Sequence, residues 1–190
     1  HRREMKIETA NGINEVTVYS FNGKVNSASV NLGKAELAGE NIPCIWKEDK
    51  IVNKPATIGG KEYKVTLVNL GNPHCVVFSE KVDAVDVETV GPLFENCEYF
   101  PERINAEFIR VVNRVTIKMR VWERGNGETW SCGTGAAAAV VAAVLNGYCD
   151  RDTNITVKLR GGDLVVNYHS DGEVELMGSV KTVYEGRLEI

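Results

Sequence analysis

The sequence predicts an α+β protein in which a mixed, barrel-like β-sheet is wrapped around one central helix. Two observations lead to this fold class. Most of the 190 residues alternate between polar and apolar side chains, which is typical of half-buried strands. The strongest helical segment, residues 133–146, contains ten consecutive apolar residues at 136–145, so every face of that helix has to be buried. Its alanines would allow strands of a curved sheet to approach closely from all sides.

The predicted strands follow one another along the chain, with turn signals between several of them. Asn22-Gly23 indicates a hairpin because both residues accept positive φ, and Gly161-Gly162 and Asp171-Gly172 separate later strands in the same way. The predicted strands cover residues 6–9, 15–20, 24–31, 63–70, 74–78, 106–112, 115–122, 154–159, 163–168 and 173–176.

Two helical segments interrupt these strands. A weaker helical window covers residues 87–96 and contains Gly91-Pro92. The strong helix at 133–146 is followed by Gly147, which is placed to end it by entering the left-handed region.

Composition and cysteine usage exclude several classes of protein. The net charge is −4, which argues against nucleic acid or an anionic membrane as a partner. The apolar run at 136–145 is about half of what a bilayer-spanning helix needs. Five cysteines at irregular spacing do not form a disulfide framework, and no pair has the spacing of zinc ligands. We therefore predict free thiols, no metal and a cytoplasmic location.

The segment that leads into the central helix carries the chemistry. Residues 122–135 read Trp-Glu-Arg-Gly-Asn-Gly-Glu-Thr-Trp-Ser-Cys-Gly-Thr-Gly. The first amides of a helix have no partner within it and lie at its positive end, so Gly133, Thr134 and Gly135 offer N–H groups to an anion. The same position is expected to lower the pKa of the Cys132 thiol, which makes Cys132 a candidate reactive group.

Glu123 and Arg124 end the strand before this helix. Their plain interpretation is a solvated charge pair of little energetic value. If the glycine-rich loop folds back toward Cys132, both face one pocket, where a guanidinium suits a carboxylate and a glutamate suits an ammonium group. Together with the helix amides, this pattern predicts a zwitterionic amino acid as ligand.

The same residues also match two other patterns, a dinucleotide-binding loop and a thiol hydrolase. The pattern Gly133-x-Gly135-x-x-Ala138 matches a dinucleotide-binding fingerprint, but no apolar strand runs directly into it. A thiol hydrolase would use Cys132 as nucleophile with His74 or His169 as base. His169, which follows a predicted strand, is expected to be an ordinary surface histidine.

Three segments together resemble the diaminopimelate epimerase family. They are residues 71–76 (Gly-Asn-Pro-His-Cys-Val), residues 100–108 (Phe-Pro-Glu-Arg-Ile-Asn-Ala-Glu-Phe) and residues 123–136, in that order, and residues 161–164 and 184–186 resemble the family's C-terminus. The resemblance implies the diaminopimelate epimerase-like fold of two similar domains. It also implies an isomerase, independent of pyridoxal phosphate, that interconverts LL- and meso-diaminopimelate by two-cysteine acid/base catalysis in lysine and peptidoglycan biosynthesis.

The resemblance also implies a role for individual residues. Cys132 would be the acid/base of the second domain, with Glu123 and His74 as the other catalytic residues. The substrate diaminopimelate would be bound by Asn72, Asn105, Glu123, Arg124, Gly133 and Thr134. No cofactor is implied, and the family suggests a homodimer.

One part of the family's pattern is missing. Cys44, Cys75, Cys97 and Cys149 are not followed by Gly-x-Gly, so the first-domain cysteine of the family has no counterpart here. Since the chain also opens on His1 instead of methionine, we predict a fragment that alone binds substrate weakly and does not epimerise it.

The fragment is expected to have three parts: residues 1–15 as a remnant of an N-terminal domain, residues 16–175 as the cysteine-bearing domain, and residues 176–190 as strands that pack toward the missing N-terminal domain. Two alternative functions remain open. One is a cofactor-independent racemase or isomerase of another small amino acid, and the other is a non-catalytic binding domain.

Overall fold

The computed structural model describes residues 2–9 and 12–189, which form twelve strands and two α-helices. The helices are α1 (Val87–Glu95) and α2 (Gly133–Leu145). The strands are β1 (Arg2–Thr9), β2 (Gly12–Phe21), β3 (Lys24–Lys34), β4 (Lys54–Ile58), β5 (Lys61–Asn69), β6 (Pro73–Phe78), β7 (Asn105–Asn113), β8 (Thr116–Glu123), β9 (Gly127–Thr129), β10 (Asn154–Leu159), β11 (Gly162–Tyr168) and β12 (Glu173–Ser179).

All strands belong to one mixed sheet that surrounds α2. Its order is β1-β2-β3-β12-β11-β10-β8-β7-β6-β5-β4, with β9 paired to β8. The pairs β6–β7 and β8–β10 are parallel and the others are antiparallel. Helix α2 contacts β5, β6, β7, β8, β10, β11 and β12, and residues 135–143 are buried on every face. The predicted α+β class, with a mixed sheet around one apolar helix, is confirmed.

The second helix, α1, packs against the strand that leads to Glu123. Asp86 caps its N-terminus by accepting a hydrogen bond from the Thr89 N–H at 3.2 Å. A Cβ atom at Gly91 would lie 2.4 Å from the indole ring of Trp122, so only glycine allows α1 to approach this close. A second apolar cluster around Phe94 and Phe108 fills the space beneath α1. The end of β8 is therefore supported by a packed layer.

The main difference between the predicted and the observed elements is that two strands, β4 and β9, were not predicted. The hairpin at Asn22-Gly23 is confirmed, with φ values of 49° and 75°. Strand β4 was not predicted, because Pro55 cannot donate to a ladder; β4 accommodates it by lying at the edge of the sheet. Strand β9 is three residues long and follows the glycine-rich turn, so it has no recognisable alternation. The turn predicted at Gly161-Gly162 lies one residue earlier, since Gly162 already pairs with Leu159.

The predicted division of the chain at residues 15 and 175 stays a prediction. Each boundary falls within a strand, β2 and β12 respectively, and β1 pairs with β2 along its whole length. Residues 180–189 form no helix or strand. The parts of the prediction that concern His1, Ala10, Asn11 and Ile190 lie outside the described residues. In the described part of the chain, neither helix has the length and apolar character needed to cross a bilayer.

Candidate active site

Cys132 is the N-cap residue of the central helix. Its backbone is extended, with φ −135° and ψ 113°, and its carbonyl accepts the first helical hydrogen bond from the Ala136 N–H at 2.9 Å. Its Sγ accepts a hydrogen bond from the Gly135 N–H at 3.3 Å. Within the described residues the N–H groups of Gly133 and Thr134 have no hydrogen-bond partner, so they are free to bind an anion beside the sulfur.

The thiol of Cys132 is held in its protonated form by its surroundings. Its pKa is raised from 9.0 to about 11, first by burial and next by the charge of Glu107, while the Gly135 N–H and the Thr134 hydroxyl act in the opposite direction. The residue is only 8% exposed, so the cost of burying a thiolate exceeds the stabilisation that these hydrogen bonds provide. The expectation that the helix N-terminus would give a low thiol pKa is therefore wrong in its net direction.

A buried histidine–glutamate pair lies beside the cysteine. His74 on β6 and Glu107 on β7 both have fully buried side chains, and Nδ1 of His74 is 2.7 Å from Oε1 of Glu107. Strands β6 and β7 are parallel, with Val76 opposite Glu107. His74 lies two residues before Val76 on the same face of β6, so its side chain is next to that of Glu107. Burial raises the pKa of Glu107, and the neighbouring His74 acts against that rise. This buried acid was missed by the sequence analysis as a site residue.

A chain of hydrogen bonds connects the His74–Glu107 pair to the cysteine. Nε2 of His74 is 3.0 Å from Oδ1 of Asn72, and Nδ2 of Asn72 donates to Oγ1 of Thr134 at 3.2 Å. Oγ1 of Thr134 is in turn 3.7 Å from Sγ of Cys132. The structure therefore brings four of the predicted site residues into one connected network.

Asn105 joins two of the recognised sequence segments through their backbones. Its Nδ2 donates to the carbonyl of Pro73 at 2.8 Å, and its Oδ1 accepts from the Arg124 N–H at 2.8 Å. The side chain is 5% exposed. The two polar atoms of the Asn105 side chain therefore connect the start of β6 to the residue that follows β8.

The predicted charge pair Glu123 and Arg124 lies at the end of β8, next to this asparagine. Glu123 accepts a hydrogen bond from the Thr129 hydroxyl, and Arg124 donates from Nη1 to the carbonyl of Glu102 at 3.1 Å. Glu123 is close enough for its charge to raise the pKa values of both Cys132 and Glu107. After the glycine-rich loop the chain reverses, and β9 pairs antiparallel with the end of β8.

A second buried carboxylate, Glu95 at the end of α1, fastens this loop. Its Oε1 accepts from the Gly125 N–H at 2.9 Å and from Arg103 at 3.1 Å, and its Oε2 accepts from the Trp122 indole N–H at 2.6 Å. A glutamate in the last turn of an amphipathic helix has no feature in the sequence that distinguishes it from a surface residue. Only the fold places it under the loop.

The geometry does not favour the thiol-hydrolase interpretation. Both ring nitrogens of His74 already contact other residues, Glu107 and Asn72, so His74 does not face Cys132 directly. His169 follows β11 and lies 3.5 Å from Asp152.

Among residues 2–9 and 12–189, no three His, Cys, Asp or Glu side chains are grouped to hold a metal ion.

Comparison with protein families and curated proteins gives one consistent result. Residues 66–183 match the family model for diaminopimelate epimerase. The chain is 44% identical over 185 residues to the diaminopimelate epimerase of Bacillus licheniformis, a match that covers 97% of this chain and 65% of the relative. It is 42% identical over 191 residues to that of Acetivibrio thermocellus, covering 100% of this chain and 68% of the relative. The chain thus spans about two thirds of the length of these relatives.

Solved structures share the fold at low sequence identity. A probable proline racemase from Agrobacterium radiobacter matches with a TM-score of 0.68 and 11% identity, covering 94% of this chain and 58% of that one. A predicted epimerase from Pseudomonas aeruginosa matches with a TM-score of 0.64 and 17% identity, covering 98% and 67%. At these identities the likeness concerns the fold alone.

Proposed function

Because the chain belongs to the diaminopimelate epimerase family, we propose that it carries one acid/base half of an isomerase site for LL- and meso-diaminopimelate. The observation that carries this proposal is the position of Cys132. Its sulfur lies at the N-terminus of a buried helix, beside the unpartnered N–H groups of Gly133 and Thr134. An epimerase needs this combination, a group that exchanges a proton with the α-carbon and donors for the adjacent carboxylate.

The proposed chemistry is a proton transfer at the α-carbon. When the α-C–H bond breaks, negative charge spreads onto the neighbouring carboxylate, and the amides of Gly133 and Thr134 stabilise that charge. In the reverse direction the Cys132 S–H bond breaks, a C–H bond forms, and the electron pair of the S–H bond stays on sulfur. The two faces of the α-carbon need two such groups, one in the thiolate form and one in the thiol form.

The second acid/base is proposed to be a cysteine outside these 190 residues. Cys75 and Cys149 are buried in the apolar clusters of the sheet, and Cys44 is buried beside the carbonyl of Gly39. Cys97 packs at the edge of the cluster beneath α1. None of these four is at the start of a helix, where Cys132 lies. The division of the chain into a remnant, a cysteine-bearing domain and C-terminal strands belongs to this same proposal.

The remaining predicted residues fit this proposal as binding or supporting groups. We assign Arg124, Glu123 and Asn72 to the charged and polar ends of the substrate, and Asn105 to holding Arg124 in place through its backbone N–H. His74 orients the side chain of Asn72 through the contact between its Nε2 and Oδ1 of Asn72.

A cytoplasmic location is consistent with five cysteines that are all free thiols. Association into a homodimer is proposed from the family resemblance.

Solvent deuterium incorporation tests the proposal. We expect this chain alone not to interconvert the LL and meso isomers in D2O, because one acid/base group cannot serve both faces of the α-carbon. A fusion that adds the part of the Bacillus licheniformis relative outside the match should interconvert the isomers and label the inverted product with deuterium. Interconversion by the chain alone would refute the need for a second cysteine. A folded fusion that binds diaminopimelate without any exchange would instead indicate a binding domain.

Replacing Arg124 tests the substrate. The distal amino-carboxylate of diaminopimelate needs a cationic partner, so the Arg124→Ala fusion should lose about tenfold or more in kcat/KM for diaminopimelate. Competition assays with shorter amino acids measure whether the preference itself falls. If Arg124→Ala leaves that preference intact, another amino acid is the better substrate candidate. Lys54→Ala, which removes an ion pair with Glu48 away from the site, is the control and should retain full activity.

A further inference from the structure

Glu107 is a buried charged group that the proposed mechanism does not use. Its side chain is fully buried, and Oε2 has no hydrogen-bond partner among the described residues. A carboxylate without full hydrogen bonding destabilises the interior of a protein. An apolar residue of the same size would pack there without that cost. This destabilising position indicates that Glu107 contributes to the neighbouring site.

The first consequence of Glu107 is the arrangement of protons on His74. Oδ1 of Asn72 is an acceptor, so the Nε2 of His74 that faces it has to carry a proton. Nδ1 then faces Oε1 of Glu107 at 2.7 Å, and one proton is shared between these two atoms. Loss of that proton would place a bare nitrogen against a carboxylate oxygen. Glu107 thus holds His74 in the state that donates to Asn72.

This arrangement sets the direction of the whole hydrogen-bond chain. With its oxygen occupied by His74, Asn72 directs its amide N–H groups toward Oγ1 of Thr134. The Thr134 oxygen then acts as acceptor, which leaves its hydroxyl proton to donate toward Sγ of Cys132 at 3.7 Å. That donor, with the Gly135 N–H, stabilises the thiolate that remains when Cys132 has given up its proton.

The second consequence of Glu107 is its direct proximity to the sulfur. A Cβ atom at Gly135 would lie 2.9 Å from Oε1 of Glu107 and 3.2 Å from Sγ of Cys132. The missing side chain therefore allows a buried carboxylate and the thiol to occupy neighbouring space. Glu123 on β8 is the other acidic group whose charge acts on the sulfur, and His74 on β6 acts on Glu107. Two negative charges in a dry site favour the thiol over the thiolate.

We propose that Glu107 is a positioning residue of the isomerase site: it orients His74, Asn72 and Thr134 toward Cys132 and keeps Cys132 in the thiol form until substrate binds. The proposal rests on the acid/base role of Cys132 described above. In the resting site, Cys132 is then the proton donor, and the group on the opposite face is the base. On transfer, the S–H bond breaks and the α-C–H bond forms, and the hydrogen-bond chain stabilises the resulting thiolate.

Alkylation of Cys132 in the Glu107→Gln variant tests the electrostatic part. Glutamine has the same shape and can donate an amide N–H to Nδ1 of His74, but it removes the charge beside the sulfur. We expect the alkylation rate by iodoacetamide to rise at pH 7–9, by about threefold for each unit by which the thiol pKa falls, because the larger thiolate fraction is partly offset by a less nucleophilic sulfur. The rate is followed for the peptide that contains Cys132 by mass spectrometry on this chain. Thr66→Val, which removes a buried hydroxyl that accepts two hydrogen bonds on β5, is the matched control and should leave the pH profile unchanged.

Nuclear magnetic resonance of the unaltered chain tests the hydrogen-bond part without any variant. The ¹⁵N signals of the His74 ring should show a protonated Nε2 at neutral pH, and a bare Nε2 would overturn the proposed direction of the chain. An unchanged or upward-shifted alkylation profile in Glu107→Gln would overturn the effect on Cys132. Neither readout needs epimerisation. If both behave as expected and the fusion still fails to exchange the α-proton, the proposed function falls while the role of Glu107 toward Cys132 stands.

Discussion

Replacing Cys132 by alanine is expected to abolish interconversion of LL- and meso-diaminopimelate in the fusion, with a rate loss of about a thousandfold or more. Alanine removes the sulfur, which is the only group of this helix N-terminus that can carry the transferred proton. The helix itself should form as before, because the first helical hydrogen bond uses the Cys132 carbonyl. The measurement is the conversion of the LL isomer into the meso isomer, followed by chiral chromatography.

Cys149→Ala is the matched control for this variant. Cys149 is 3% exposed and belongs to the same apolar cluster as Cys132, but it lies beyond the opposite end of α2. Its replacement should cost some stability and leave the interconversion rate within about twofold of the unaltered fusion. Undiminished interconversion by Cys132→Ala would remove this cysteine from the mechanism. An equal loss in both variants would show that packing, and not proton transfer, accounts for the effect.

Replacing Gly135 by alanine is expected to have the largest effect among the glycines of the site. The added Cβ would lie 2.9 Å from Oε1 of Glu107, 3.2 Å from Sγ and 3.3 Å from Cβ of Cys132, so all three have to move. Overpacking of this kind costs about 1–3 kcal/mol, against about 1 kcal/mol that alanine regains over glycine within a helix. We therefore expect a net loss in the free energy of unfolding, together with loss of exchange activity.

Gly133→Ala provides the comparison within the same helical turn. There the added Cβ meets only the end of the Leu176 side chain at 2.9 Å, which can rotate away. Neither glycine has a positive φ, so backbone strain does not distinguish the two variants. Urea unfolding of both variants should show Gly135→Ala as the less stable protein. If the two have equal midpoints, the close approach of Glu107 to the sulfur does not constrain this position.

The fold was predictable to a large extent because two of its patterns are local. Residues 136–145 carry no polar side chain, and a helix of that kind can only be an interior element. The alternation in the strands and the turn at Asn22-Gly23 depend on neighbouring residues alone. Strand β4 escaped prediction because its proline is tolerated only at a sheet edge, and the order of the strands in the sheet is not a local property.

The sequence indicated candidate residues for the site, but it did not indicate the burial and the charges that surround Cys132. The three sequence segments point to Asn72, His74, Asn105, Arg124 and Cys132. The structure connects His74 and Asn72 to the start of α2 and joins Asn105 to Arg124. The expected low pKa of the thiol was wrong, because it considered the helix end alone. Burial and the charge of Glu107 act in the opposite direction and prevail.

The sequence by itself determined that one helix is interior, that a cysteine begins it, and which family the chain resembles, since these depend on residue types at fixed spacing. The tertiary structure alone decided that Glu107 and Glu95 are buried beneath the site. Their neighbours come from strands and a helix distant in sequence, and a glutamate carries no local sign of being enclosed. The charge state of Cys132 follows from that enclosure, because burial and nearby charges decide whether a thiolate can exist there.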